Sequence, residues 1–202
     1  MKKKDLTKET KILDATVAII INYGANAIST TKVAKRVGIS QSNIYLYFED
    51  KQALLEGVYL REISRLEEIP DMKLVMDADR PIIERCFNYL KAMYGFAMAN
   101  PYSLFVISQI KGLSKNFPDL IEKLVSGHNP VATLFKDGVQ AGVLRPIDRS
   151  LPMTLIFSVI QRHVENVQNG LYAKNIVSFE ELSRLIWGGI AIVPYPRHLL
   201  HS

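Results

Sequence analysis

The chain has 202 residues, 48% hydrophobic, 22% charged and 9% aromatic, which is long and apolar enough for a globular core and excludes a disordered chain. Eleven glycines and nine prolines exclude collagen-like or low-complexity material. The single cysteine excludes an internal disulfide framework and a cysteine-based zinc site, and suits a reducing cytoplasm. The opening MKKKDLTKETK is basic and then polar, without the apolar centre of a signal peptide, so a soluble cytoplasmic protein is expected.

Charge is unevenly placed. Residues 1–48 hold eight basic and three acidic side chains, which accounts for the whole formal net charge of +5. Such an asymmetry points to an anionic partner for one small module, nucleic acid ahead of a membrane surface. A basic tail kept for solubility is the alternative.

In chain order the elements read as helices. Ile12, Thr16, Ile19, Ile20 and Tyr23 recur at spacings of three and four, and Gly24 stops that stripe. Ser29 can cap a second helix, Thr30 to Val37, ended by Gly38; Ser40 can cap a third, Gln41 to Tyr47. Asp50 can cap a fourth, about Lys51 to Glu67, and residues 69–80 read as a loop. The 19 uncharged residues Ala92 to Ile110 include Asn100-Pro101, Ser103, Ser108 and Gln109, so they read as two buried helices rather than a membrane span. Prolines 81, 101 and 118 stand at helix starts, and Asn129-Pro130 breaks the segment before Val131 to Ala141, which Gly142 closes. Two further helices are expected, about Leu151 to Asn169 and Phe179 to Ile192, the second opened by the capping box Ser178-x-x-Glu181. No alternating run is paired with a hairpin dipeptide, so the fold class is all-α.

Residues 29–48, STTKVAKRVGISQSNIYLYF, have the pattern of a helix-turn-helix. Gly38 supplies the turn, Ala34 allows close approach, and Val33, Val37, Ile39, Ile44 and Phe48 can face inward. Gln41, Ser42 and Asn43 are then left outward in the first turn of the second helix, where Gln and Asn can bond adenine in two places. Thr31 and Lys32 belong to the same candidate surface. Lys51 opposes the dipole of its own helix unless a phosphate sits there, which reverses the sign; an ordinary solvated lysine is the bland alternative.

The stretch from Lys8 to about Glu67 resembles the DNA-binding region of the TetR family of transcriptional regulators. The matching residues are Gly24, Ser29, Val33-Ala34, Gly38-Ile39-Ser40, Ile44-Tyr45, Phe48, Lys51 and Leu54-Leu55. Val37 and Leu46 depart from the family's usual residues. The resemblance implies that Tyr47 and Lys51 hold the phosphate backbone and that Gln41, Ser42, Asn43 and Tyr45 face the major groove. It implies a DNA-binding domain over residues 1–50 and a helical ligand-binding and dimerisation domain over 51–202.

Other candidates are weaker. His128, His163, His198 and His201 have no metal spacing, and no phosphate loop, serine elbow or paired-carboxylate motif appears, so neither enzyme activity nor a cofactor nor a metal is expected. Cys86 lies among apolar residues and reads as buried and inert. Phe87, Tyr94, Met98, Tyr102, Phe105, Phe157 and His163 are candidate contacts for an apolar effector, against plain core for most of them. Ile156, Ile160, Val164, Val167, Leu182, Ile186 and Ile190 are candidates for a two-fold dimer interface. The expected function is palindromic operator binding by a homodimer, repression, and release by a small, largely apolar ligand. The fourth helix is expected to be the only continuous element joining the modules. A DNA-binding structural or adaptor protein whose second domain takes a protein partner is the competing reading.

Overall fold

A computed structural model describes residues 6–113, 130–173 and 176–200. The helices are α1 Leu6–Tyr23, α2 Thr30–Val37, α3 Gln41–Tyr45, α4 Lys51–Glu67, α5 Pro70–Met76, α6 Ile82–Ala99, α7 Ser103–Lys111, α8 Pro130–Gln140, α9 Ser150–Gln168 and α10 Phe179–Ile190. Short 3-10 turns lie at Ala25–Ala27 and Arg197–Leu199. The fold is all-α; among the described residues the β pairing is a single bridge, Leu144 to Ala191. None of the described helices is long and apolar enough to cross a membrane. The helix expected to open at Phe117-Pro118, the residues His128 and His201, and the Asn129 half of the expected break lie outside the described residues.

Described residues 6–64 and 105–113 form one compact unit, and the remaining described residues form the second. The domain boundary expected at 50/51 falls at the start of α4, whereas residues 51–64 cluster with the N-terminal helices. The chain passes from one unit to the other inside α4 and again inside α7. The expectation of a single continuous connecting helix is therefore corrected: the uncharged stretch holding α7 signals burial, not where its neighbours lie.

In the first unit the α1 stripe Ile12, Thr16, Ile19 and Ile20 is buried with Val33 and Ala34 of α2, Ile44 of α3 and Leu54, Leu55 and Val58 of α4. Asp14 on α1 and Arg61 on α4 form an ion pair at 2.7 Å. Asp50 accepts the Ala53 N–H at 2.7 Å and so starts α4.

In the second unit α6 is the hub, packing on α5, α8, α9 and α10. Phe87 meets Phe179, Trp187 and Tyr195 edge-on, with ring centroids 5.6–6.1 Å apart. Ser178 and Glu181 form the expected capping box at the start of α10. The stretch 69–80 is not all loop: Pro70 opens α5, and Met72 and Val75, one turn apart, are buried. A seven-residue helix is too short to show a stripe in sequence.

Candidate nucleic-acid interface and effector region

The helix-turn-helix follows from local chemistry. Ser29 takes extended backbone and accepts the Lys32 N–H at 3.2 Å, capping α2. Gly38 adopts the left-handed conformation (φ 77°), which an L side chain rarely tolerates, and both its N–H and that of Ile39 reach the Ala34 carbonyl at 3.0 Å. This closes α2 and turns the chain directly into α3.

α3 is shorter than expected, ending at Tyr45 instead of Tyr47. Ser40 also departs from its expected role: it makes no side-chain cap bond to an α3 amide. Its hydroxyl instead accepts Asn43 Nδ2 at 2.9 Å and pairs with the Ser42 hydroxyl at 2.8 Å. Thr31, Lys32, Gln41, Ser42 and Tyr45 are exposed, while Asn43 and Tyr47 are half-buried.

Gln41 is held in place. Its Nε2 donates to the Thr30 hydroxyl at 2.8 Å and to Tyr45 Oη at 3.0 Å. Both amide hydrogens are thus used within the protein, and Oε1 is the atom left for a base donor. The buried Thr30 anchors this network and escaped the sequence reading, because the contact depends on how α2 and α3 cross. The hydroxyl run Ser29-Thr30-Thr31 was the available signal.

Two lysines converge on the 3-10 turn before α2. Lys32 Nζ donates to the Ala27 carbonyl at 3.0 Å and Lys51 Nζ to the Asn26 carbonyl at 3.2 Å. Partial burial, and then the charge of Lys32, lower the Lys51 ammonium below its ordinary pKa. An anion placed against both would relieve that repulsion. Like charges held together beside an exposed row of side-chain amides and hydroxyls form a surface suited to a phosphate backbone with adjoining base edges.

The candidate effector residues are dispersed. Phe105 belongs to the first unit; Phe87, Tyr94, Met98, Tyr102, Phe157 and His163 belong to the second. Phe87 is fully buried in its aromatic cluster, which makes it a core residue rather than a free pocket wall, and Tyr102 is exposed. Met98 and Phe157 are half-buried. Tyr94 and His163 do meet, ring centroids 5.7 Å apart, and Tyr94 also touches Phe179 at 5.1 Å. His163 is 3% exposed; its Nδ1 lies 3.0 Å from Tyr172 Oη, and among the described residues its buried Nε2 has no hydrogen-bond partner. Burial lowers its pKa below the ordinary histidine value, favouring neutral imidazole. Tyr172, absent from the sequence reading, has no periodic signal because it lies in a turn after α9. His163 and Tyr172 also line an open cleft of about 620 Å³ with Asn166, Leu182 and Leu185.

The expected dimer residues need correction. Ile156, Ile160, Val164, Leu182, Ile186 and Ile190 are buried within the chain itself, and only Val167 is partly accessible. A side chain already removed from water cannot be buried again by a partner. The apolar residues left outward on and beside these two helices include Leu151, Leu171, Ile176, Leu185 and Ile192.

Comparison with known proteins gives the family. Residues 12–58 match the model for bacterial regulatory proteins of the tetR family. A solved structure of a candidate transcription regulator from Lactobacillus plantarum is 40% identical, with a TM-score of 0.81, and the match covers 91% of this chain and 98% of that one. The fatty acid metabolism regulator protein of Bacillus subtilis is 25% identical over 171 residues, 80% of this chain and 84% of the relative. The Bacillus subtilis regulator FadR, solved in complex with stearoyl-CoA, shares the fold at a TM-score of 0.65 and 20% identity, over 90% of this chain and 98% of that one. This chain belongs to the TetR family of bacterial transcription regulators.

Proposed function

We propose that the chain binds palindromic operator DNA as a homodimer, represses transcription there, and is released by a small, largely apolar effector bound in the second unit. The observation that carries the DNA reading is the Lys32–Lys51 pair beside the exposed Gln41, Ser42 and Tyr45. In this reading Lys51, Lys32 and Tyr47 hold phosphates, Gln41 and Ser42 with Asn43 and Tyr45 face the major groove, and Thr31 flanks them. Leu151, Leu185 and Ile192 supply apolar surface for a two-fold interface around α9 and α10. The effector meets Tyr94, His163, Met98 and Phe157. The unpartnered His163 Nε2 supports a ligand that adds one polar atom to an apolar body.

The relatives support the effector arm, since one is named for fatty acid metabolism and another was solved with stearoyl-CoA. Coupling requires that the effector bind more tightly to a conformation unsuited to DNA. Because α4 and α7 each belong to both units, a shift in either helix is felt in both. The test is selection of bound sequences from a random duplex library. A palindrome with half-sites about 34–36 Å apart is expected; enrichment of no sequence over random DNA overturns the reading.

A further inference from the structure

The second unit has a cleft remote in sequence from Tyr94 and separate from the His163–Tyr172 groove. It holds about 620 Å³ and is framed by α8, the segment 144–149, the start of α9 and the end of α10. Phe135, Leu144 and Ile190 form its floor but are only 3–4% exposed; the apolar side chains it leaves accessible are the half-buried Ala132 and Val139 and Ile147, 42% exposed. Lys136, Arg145 and Arg149 line it as well. The bridge between Leu144 and Ala191 fixes this floor, since Arg145 N–H reaches the Ile190 carbonyl at 2.8 Å and Ile192 N–H the Val143 carbonyl at 3.0 Å.

The cations here differ from several others in the unit. Arg80, Arg85, Arg162 and Arg184 each form an ion pair with an acidic side chain. Among the described residues none of Lys136, Arg145 and Arg149 forms a close ion pair, though the charge of Arg149 acts on the adjacent Asp148; Arg145 spends one donor on the Gly188 carbonyl at 3.1 Å. The one acid in the cleft, Asp148, accepts the Ser150 N–H at 2.9 Å at the start of α9. Three cations against one committed carboxylate leave an excess of positive charge over an apolar floor.

We propose that this cleft binds a dissolved anionic amphiphile, its carboxylate or phosphate head held by Lys136, Arg145 and Arg149 and its hydrocarbon body resting on Ala132, Val139 and Ile147. Charge-assisted hydrogen bonds to the head supply orientation, and the accessible apolar side chains Ala132, Val139 and Ile147 supply the preference for a tail. A cleft of this volume lies within the range of small-molecule sites. The site is independent of the effector region proposed above.

The test is calorimetric titration of the full chain with dodecanoate and dodecyl phosphate as monomers, and with dodecanol as the uncharged control. Saturable binding of both anions is expected, with dodecanol at least tenfold weaker. Lys136→Glu with Arg149→Glu, both on exposed side chains, should weaken the anions at least tenfold while leaving the melting temperature unchanged. The same loss should appear in a Tyr94→Ala background, in which the proposed effector region is already impaired. Equal affinity for dodecanol, or an unchanged anion affinity in the charge-reversed variant, overturns the proposal. Co-sedimentation with phosphatidylglycerol vesicles in the absence of monomer binding also overturns it, since the occupant would then be a membrane surface.

Discussion

Lys32 and Lys51 place their ammonium groups on neighbouring carbonyls, those of Ala27 and Asn26, so two positive charges are held together before any DNA arrives. Replacing Lys51 with alanine removes one phosphate partner, so binding should weaken alike on operator and random duplex. The slope of affinity against salt should fall by about one unit. Gln41→Ala should instead cost about 1–3 kcal/mol on the operator and little on random DNA, because it removes a base contact. Fluorescence anisotropy across a salt series separates the two; equal losses from both variants on both duplexes would remove the assignment.

Gly57 lies against Phe48, and a Cβ built there would sit 2.7 Å from the ring edge and 3.3 Å from Leu13 Cδ2. Alanine in mid-helix ordinarily gains about 1 kcal/mol over glycine. Here crowding should cost about 1–3 kcal/mol, so Gly57→Ala should destabilise on balance. Denaturant unfolding checks it, and a variant more stable than the parent would show that the Phe48 ring yields freely.

Leu185 is 69% exposed and its neighbour Ile186 fully buried, although both lie on α10. Leu185→Glu should split the dimer and leave a folded monomer. Ile186→Glu should cost about 3–5 kcal/mol by burying an unpaired charge. Sedimentation velocity at micromolar concentration, read beside circular dichroism, distinguishes them. A wild-type monomer would end the dimer reading.

Burial holds the His163 pKa below the ordinary 6.5 in the folded chain. The unfolded chain therefore takes up a proton first as pH falls, so the histidine's contribution is intact above about pH 6.5 and is lost on acidification through that value. Unfolding free energies at pH 7.5 and 5.5 should show this loss in the wild type and a smaller one in His163→Phe. An identical pH dependence in both would show that His163 is not the group responsible.

Most local signals were legible in the sequence, the Ser40 cap of α3 excepted, and tertiary ones were not. The Ser29 cap, the Gly38 turn, the Asp50 cap and the Ser178–Glu181 box depend on residues within a few positions of one another, and all four appear. The α5 helix escaped because seven residues carry too little periodicity. The stripe of α9 and α10 was visible, but periodicity does not say whether an apolar face meets its own chain or a partner. Ile160 and Ile186 turned out to be core. The Gln41–Thr30–Tyr45 network needed the crossing of two helices, which no spacing rule supplies.

The bridge between Leu144 and Ala191 also bears on how the molecule opens. Its two flanking amides, those of Arg145 and Ile192, each hold a carbonyl on the other segment, so α9 and α10 are enclosed in one tied loop of chain. Each amide is bonded across the bridge, so the separation of the two segments exposes both to solvent deuterium. They should exchange together, at a rate set by that shared opening, and mark α9 and α10 as one cooperative folding unit.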